Sequence, residues 1–297
     1  MVLGFCPEPL KIFNYSLLFL FRMNFLLHPD SVLFLTLDSC RFDSFRDANI
    51  PSLKAIAPLY KAQSPSYFTY GSHAAFWMGF TPGITSRGKV PLLNPKSGKL
   101  FRMNHSAASS HGDDAFHLCG SNIVEGFSHR GYYTLGSGAV AWFDKTTATG
   151  SVLTSPFDEF LYSGNTWSLR TQLSWLFDKL LTHGQDRPVF VFLNVGETHV
   201  PYWHEDADWE PWPSPCLPFG GSQCSRRESR RRQIACLEWV DSELVSLLDA
   251  FQPCTILACS DHGDCWGEDG LWEHGISHPS TLTVPLLMRL RGQPISL

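Results

Sequence analysis

The sequence predicts an α/β fold, a three-layer sandwich built around a mainly parallel central sheet. Two observations support it: short apolar runs recur along the chain, and segments with helical spacing lie between them. Runs that are apolar throughout suit strands buried on both faces. Alternation of such strands with helices is typical of a parallel sheet covered on both sides. The predicted strands are 31–38, 132–137, 188–195, 254–260 and 284–290.

Each predicted helix has its own signal. The first follows a turn at Gly71, and the second is short and ends before Gly131. The last two carry apolar residues at intervals of three and four, which is the period of a helix with one buried face. The predicted helices are 72–78, 122–130, 168–181 and 230–251.

The domain organisation is read from composition along the chain. Residues 12–21 are apolar, but Arg22 interrupts a run already too short to span a bilayer, so no stable membrane span is expected. Two long stretches rich in Pro, Ser, Gly and His are expected to be rim loops or disordered segments, namely 93–121 and 201–229. The predicted units are a poorly structured N-terminal extension (1–30, with Met1 or Met23 as the start), one domain (31–291) and a short tail (292–297).

Composition excludes some classes of function. The 297 residues carry a formal net charge of −5, which argues against a general nucleic-acid binder. The nine cysteines lack the spacing of a disulfide framework or a zinc motif. Several lie in strand-like runs, where a reduced cysteine behaves as a small apolar residue. We therefore expect a reducing, cytoplasmic location. The oligomeric state is left open.

Two of the predicted strands end in residues that can bind a metal. The first runs into Asp38, and a later one runs into Asp261 and His262. Ligands of open α/β sheets sit beyond the carboxyl ends of the strands, so these side chains should share one rim. Two carboxylates and an imidazole suit a divalent metal. An Asp directly after a strand could equally cap the next helix, and that alternative stays open for Asp38.

A third segment, 68–76, offers a nucleophile. Thr69 follows an extended stretch, Gly71 permits a tight turn, and Ser72 can cap a helix that begins at His73. The free N–H groups of a helix N-terminus suit an anion, and a bound metal could activate the hydroxyl of Thr69. An ordinary capped helix is the alternative.

Taken together, these segments resemble the alkaline phosphatase superfamily, in particular its sulfatase-like branch. The resemblance covers residues 31–291, and the order and spacing of the motifs agree. The segments that carry it are Asp38–Asp43 (D-S-L-R-x-D), Thr69–His73 (C/S/T-x-P-S-R/H) with Gly79–Pro82 after it, Gly131–Thr134 (G-Y-x-T), His199–Pro201 (H-x-P), Ser260–Trp272 (D-H-G-E-x-x-G-E-x-G-L-W) and Val284–Leu286 (V-P-L).

The resemblance implies roles for residues of this chain. One divalent ion (Zn, Mn or Ca) would be bound by Asp38, Asp261, His262 and Thr69. Thr69 would be the nucleophile, and His199 and His274 would act on the substrate anion as catalytic groups. Further contacts to the substrate are expected from Arg41, Ser72, His73 and His278.

Three departures from the family pattern narrow the function. Thr69 cannot be oxidised to the formylglycine that sulfatases use. No Asp lies four residues before His199, so one metal is expected, although Glu197 and His199 could join a second site. Family members usually carry a small C-terminal subdomain, and we expect it to be absent here or the chain to be a compact variant.

The sequence therefore predicts a metal-dependent hydrolase or transferase that acts on a small anionic ester, a phosphodiester in the first instance. The alternatives are a sulfuric-ester hydrolase and a catalytically inactive sulfatase-like binding protein. Five arginines between 226 and 232 form either a solvated basic face or a site for an anion or partner.

Overall fold

The computed structural model describes residues 26–79, 83–84, 92–93 and 121–296. Most of the predicted N-terminal extension lies outside the described residues. So does almost all of the predicted irregular stretch 93–121, together with the segment 80–82 of the nucleophile motif.

One eight-stranded sheet forms the centre of the described fold. The described strands are β1 (Val32–Leu37), β2 (Tyr60–Gln63), β3 (Gly83–Ile84), β4 (Leu92–Leu93), β5 (Tyr133–Gly138), β6 (Glu159–Tyr162), β7 (Val189–Val195), β8 (Thr255–Ser260), β9 (Cys265–Trp266), β10 (Trp272–Glu273), β11 (Thr283–Leu290) and β12 (Gln293–Pro294). Of these, β3 pairs with β4 and β9 with β10 in two separate two-stranded sheets, and the other eight form the central sheet. Their order in the sheet is β12-β11-β8-β1-β7-β5-β6, with β2 also paired to β11. The strands β8, β1, β7, β5 and β6 run parallel to one another, and β11 runs antiparallel to β8. The predicted mainly parallel sheet is confirmed.

Helices cover both faces of this sheet. They are α1 (Phe42–Asp47), α2 (Pro51–Lys54), α3 (Thr69–Met78), α4 (Ile123–His129), α5 (Ala148–Thr154), α6 (Leu169–His183), α7 (Arg226–Ala250) and α8 (Pro279–Leu282). No helix of the described chain is both long and apolar enough to cross a membrane.

The two faces have different cores because side chains alternate along each strand. On one face, Leu33 and Leu35 pack with leucines of α6 and α7. On the other, Phe34 and Phe192 pack with aromatic side chains around α3. The Phe34 and Phe192 rings meet edge to face, with centroids 5.8 Å apart. Each fully buried side chain of this size contributes about 1.5–3 kcal/mol, so both helix layers are held firmly on the sheet.

Helix α7 begins at Arg226, four residues before the predicted start. Ser225 caps it by accepting a hydrogen bond from the N–H of Glu228. The Glu228 carboxylate in turn lies 2.8 Å from both Arg231 and Arg232. Arginines are unfavourable near the N-terminus of a helix, because that end carries a partial positive charge. The negative charge of Glu228 offsets part of this repulsion.

The loop after β7 is attached to the rim of the sheet by buried polar contacts. Thr198 donates its hydroxyl to the carbonyl of Asp38 at 2.6 Å, and Gln233 donates to the carbonyl of Thr198 at 3.1 Å. Glu197 turns inward and accepts a hydrogen bond from the N–H of Leu169 at 2.9 Å, at the start of α6. It therefore fixes the start of α6, and no group of possible metal ligands within the described residues includes it.

Glu197→Gln tests this buried carboxyl group. Burial raises the pKa of Glu197 to about 7, and its Oε2 has no hydrogen-bond partner within the described residues. Because the folded state holds the extra proton, the free energy of unfolding should fall as pH rises from 4.5 towards 7. Glutamine keeps the acceptor for Leu169 and has no proton to lose, so it should remove up to about 3 kcal/mol of this pH dependence. Urea unfolding at pH 5 and pH 8 measures it.

The exposed Glu210 provides the matched control, because its side chain lies in solvent. Glu210→Gln should leave the pH dependence of wild type unchanged. Equal pH dependence in wild type and Glu197→Gln would contradict the assignment.

Candidate active site

The site begins with the register of two parallel strands. Leu37 of β1 pairs with Ser260 of β8, so the residues that follow, Asp38 and Asp261, lie side by side beyond the strand ends. Both carboxylates are fully buried. The N–H of Ser39 donates to Asp261 Oδ1 at 3.2 Å, and the Ser39 hydroxyl lies 3.5 Å from Asp38 Oδ1. Helix α1 begins only at Phe42, so Asp38 does not cap it.

His262 is held in a single tautomer beside these carboxylates. Its Nδ1 faces the carbonyl of Gly263 at 3.1 Å, and since a carbonyl only accepts, Nδ1 carries the proton. Burial, and then the neighbouring His274, lower the pKa of His262 to about 3. The imidazole is therefore neutral, and Nε2 presents a lone pair to the site. This is the form in which histidine binds metals.

This arrangement has too many acceptors and too few donors. His262 Nε2 lies 3.6 Å from Asp38 Oδ1 and 3.5 Å from Asp261 Oδ2. Asp261 Oδ2 is buried and has no hydrogen-bond partner within the described part of the chain. Burial, and then the Asp38 carboxylate, raise the pKa of Asp261 well above its usual range.

A cation between these groups would resolve the deficit. The ligand atoms of Asp38, Asp261 and His262 all lie within 4.8 Å of one another. Two carboxylates and an imidazole match the donor set of a divalent transition metal. The residues present therefore fit the metal that the sequence predicts.

Thr69 faces this group from the first turn of α3. Its hydroxyl oxygen lies 3.3 Å from His262 Nε2 and 3.5 Å from Asp38 Oδ2. The helix begins at Thr69 itself, four residues before the predicted start at His73. Gly71 lies within this helix and makes no turn. The position requires glycine because a Cβ there would be 2.4 Å from the hydroxyl oxygen of Ser66.

The predicted substrate contacts Ser72 and His73 lie beneath the site in this structure. Ser72 is within α3, and its hydroxyl donates to the carbonyl of Asp261 at 2.6 Å. His73 donates from Nδ1 to the carbonyl of Thr69 at 2.8 Å, and its Nε2 lies 3.2 Å from the hydroxyl of Thr36. Burial lowers the pKa of His73 to about 4, which keeps the ring neutral in its aromatic surroundings. Both side chains thus fix the start of α3.

Arg41 and His278 are also engaged by protein groups. The guanidinium of Arg41 binds Asp43 at 2.8 Å and Glu268 at 2.9 Å. It also stacks 4.3 Å above the ring of Trp266, with only 7% of the side chain exposed. His278 caps the short helix α8. The charge of Arg41 is already balanced, which leaves the other predicted groups better placed to meet an anion.

His199 and His274 lie on the open side of the candidate metal site. The ring of His274 is 4.6 Å from that of His262 and 5.0 Å from that of His199. Asp264 accepts a hydrogen bond from His274 Nδ1 at 2.7 Å. His262, Asp264 and His274 form a second group of metal-ligand type. The predicted histidines therefore converge with Thr69 on one site.

Sequence reasoning missed two residues of this site. Asp264 was part of a recognised motif, but nothing in the sequence paired it with His274. Asn194, the last but one residue of β7, donates to Asp38 Oδ2 at 3.2 Å. Its place at the end of an apolar run beside Asp38 was the available signal.

The comparison with known sequences decides the family. A sequence model of the Sulfatase family matches residues 99–294, well over half of the chain. The chain belongs to the Sulfatase family. No curated protein sequence matches the chain at a significant level.

Solved structures share the fold at low sequence identity. The C-terminal periplasmic domain of phosphoethanolamine transferase EptC from Campylobacter jejuni is 12% identical with a TM-score of 0.59, over 89% of this chain and 80% of that one. The corresponding domain of EcEptC from Escherichia coli, in complex with Zn, is 12% identical with a TM-score of 0.57, over 89% and 74%. An alkaline phosphatase superfamily protein from Vibrio parahaemolyticus is 14% identical with a TM-score of 0.52, over 96% and 70%. The predicted fold class is confirmed, and the family match confirms the predicted sulfatase-like branch.

The predicted cytoplasmic location is wrong on the same comparison, because the EptC structures with this fold are periplasmic domains. The prediction rested on unpaired cysteines. The seven described cysteines are free, and all but Cys224 are buried. Burial is the main cause of the raised pKa of thiols such as Cys40 and Cys236. They are packing residues, so their spacing carries no information about the compartment.

Asp261→Asn tests the metal site. We expect about one divalent ion per chain in the wild type and loss of most of it in the variant, since an amide replaces a charged ligand. Elemental analysis of purified protein measures the content. Asp241→Asn is the matched control, because Asp241 is a buried carboxylate that accepts from the N–H groups of Ser52 and Leu53. Full occupancy in Asp261→Asn would refute the site.

Proposed function

We propose that this protein is a metal-dependent transferase or hydrolase of phosphoesters, in which Thr69 is the nucleophile. The observation that carries the proposal is the position of the Thr69 hydroxyl at 3.3 Å from the lone pair of His262 and 3.5 Å from Asp38. A divalent cation held by Asp38, Asp261 and His262 would lower the pKa of this hydroxyl and screen charge at phosphorus.

The chain's own groups supply the remaining chemistry. The hydroxyl of Thr69 gives its proton to water, its oxygen forms a bond to phosphorus, and the ester P–O bond to the leaving alcohol breaks. The N–H groups at the start of α3 face the region of Thr69 and favour the phosphoryl oxygens. The phosphothreonine is then cleaved by water or by a second alcohol, which separates hydrolase from transferase.

His274 is placed to protonate the leaving alcohol. Burial lowers the pKa of His274, but the hydrogen bond to Asp264 and the nearby carboxylates outweigh this and raise it. A protonated imidazole can donate to an alkoxide and can hold an anion. The imidazole of His199 lies beside it, with its ring centroid 5.0 Å from that of His274.

A single ion and a diester substrate fit these contacts best. The second group of ligand type is occupied by hydrogen bonds: Asp264 accepts from Tyr202 and from His274, each at 2.7 Å. One ion neutralises a singly charged diester more completely than a doubly charged monoester. The imidazole in the donor set suits Zn²⁺ or Mn²⁺ more than Ca²⁺.

The phosphoryl-transfer proposal is preferred to two alternatives. The EptC proteins with this fold are phosphoethanolamine transferases, which transfer an esterified phosphate. Membership of the Sulfatase family favours sulfate-ester hydrolysis as the second candidate, but Thr69 cannot become formylglycine. A catalytically inactive protein is the third, and the complete set of Asp38, Thr69, Asp261 and His262 argues against it.

Thr69→Ala tests the nucleophile. Turnover of an aryl phosphodiester should fall by at least about 10³-fold, because no other group replaces the attacking oxygen. Thr69→Ser keeps a hydroxyl and should retain measurable turnover. Intact-mass spectrometry after a rapid quench should find a phosphoryl adduct on Thr69 in the wild type. Thr171→Ala, at an exposed position of α6, serves as control. Normal turnover in Thr69→Ala would end the proposal.

The substrate class is tested with matched aryl esters. Phosphodiester, phosphomonoester and sulfate ester should be compared at one pH with one added metal. We expect the diester to have the largest kcat/KM. A preference for the monoester would indicate a second ion, and a preference for the sulfate ester would favour the second candidate.

A further inference from the structure

Tyr202 is connected by hydrogen bonds to both site histidines, directly to His199 and through Asp264 to His274. Its side chain is fully buried, and its backbone has φ of +60°. This left-handed conformation is strained for an aromatic residue, and such residues persist where the surrounding structure fixes them. Tyr202 comes three residues after His199, and its N–H donates to the carbonyl of His199 at 2.8 Å. The turn that carries His199 therefore places the ring of Tyr202 in the interior.

The hydroxyl of Tyr202 connects this turn to the other histidine. It accepts a hydrogen bond from Trp266 Nε1 at 2.8 Å and donates to Asp264 Oδ2 at 2.7 Å. The direction is fixed, because an indole N–H only donates and a carboxylate only accepts. Burial opposes ionisation of Asp264, yet the hydrogen bond and charge of His274 keep its pKa below the usual range.

The other oxygen of Asp264 orients His274. Oδ1 accepts from His274 Nδ1 at 2.7 Å, so Nδ1 carries a proton and Nε2 is directed away from Asp264. Asp264 is fully buried, and both of its oxygens are used. Without the Tyr202 hydroxyl, one carboxylate oxygen would be left without its donor, and the side chain could rotate. Rotation would release the ring of His274.

We propose that Tyr202 is a positioning residue that sets the spacing of His199 and His274 at the substrate anion. It acts on His199 through the backbone turn and on His274 through Asp264. The inference rests on the catalytic role proposed for the two histidines. Its consequence is that a buried phenol, which touches no substrate, controls the rate of the chemical step.

The first test needs no substrate. In protein labelled with ¹⁵N-histidine, the proton on His274 Nδ1 should give a downfield resonance typical of a hydrogen bond to a carboxylate. Tyr202→Phe should shift or broaden this resonance. Tyr132→Phe is the matched control, since the Tyr132 hydroxyl donates to the carbonyl of Asp30 at 3.0 Å. An unchanged resonance in folded Tyr202→Phe would overturn the proposal.

The second test is a double-mutant cycle in kcat. Tyr202→Phe should lower kcat roughly tenfold with KM within about twofold of wild type, because a buried hydrogen bond to a charged group is lost. In a His274→Ala background the same substitution should have little further effect, since Tyr202 acts through His274. Additive losses would show that it acts by another route and would overturn the proposal.

Failure of the proposed function and misfolding of the variant can each be told apart from failure of the role proposed for Tyr202. If no ester is turned over, the proposed function fails, and the nuclear magnetic resonance test alone decides the role of Tyr202. If Tyr202→Phe does not fold, Asp264→Asn replaces it, because an amide oxygen can no longer serve both Tyr202 and His274 as a carboxylate does. That variant should move the His274 resonance, and an unmoved resonance would refute the proposal.

Discussion

The parallel pairing of β1 with β8 places two carboxylates side by side in the interior, and much of the surrounding structure compensates for this. Unpaired buried charge is costly, and two like charges at close range increase that cost. Two nearby donors reduce this cost: the N–H of Ser39 donates a hydrogen bond to Asp261, and the amide of Asn194 donates one to Asp38. These donors are too few, because one oxygen of Asp261 stays without a hydrogen-bond partner in the described chain. A divalent ion bound by these carboxylates would supply the positive charge that the site lacks.

A polar network beneath the site explains how Thr69 is held in place. The hydroxyl of Thr36, on the aromatic face of the sheet, meets His73 Nε2, and His73 Nδ1 binds the carbonyl of Thr69. The ring that connects strand to helix is enclosed by aromatic side chains, with Phe143 and Phe192 centroids 5.0 Å and 5.4 Å away. A neutral histidine is thus a rigid spacer between β1 and α3. Because His73 is fully buried and both of its ring nitrogens contact protein groups, it connects β1 to the start of α3.

The sequence predicted those features that depend on position along one element. Asp38 and Asp261 were found because each directly follows an apolar strand, and parallel strands end at one rim. The features it missed depend on partners that are distant in sequence. Gly71 was predicted to make a turn, whereas a neighbouring hydroxyl at Ser66 is what excludes a side chain. Arg41 was predicted to meet substrate, but Glu268, 227 residues later, binds it. Neither contact has a local signature.

The site divides into two halves with opposite hydrogen-bonding character. Around Asp38, Asp261 and the Nε2 of His262, acceptors predominate, and the charge that is missing is positive. Around His274, donors and acceptors are matched: Asp264 accepts one hydrogen bond from Tyr202 and one from His274. The rings of His262 and His274 lie only 4.6 Å apart, so the two halves meet there. In the proposed reaction, a phosphoester bound across both halves would place its phosphorus beside Thr69, in the half where acceptors predominate. Its leaving oxygen would lie beside the imidazole of His274, so in the proposed reaction attack and departure would take place on opposite sides of the phosphorus.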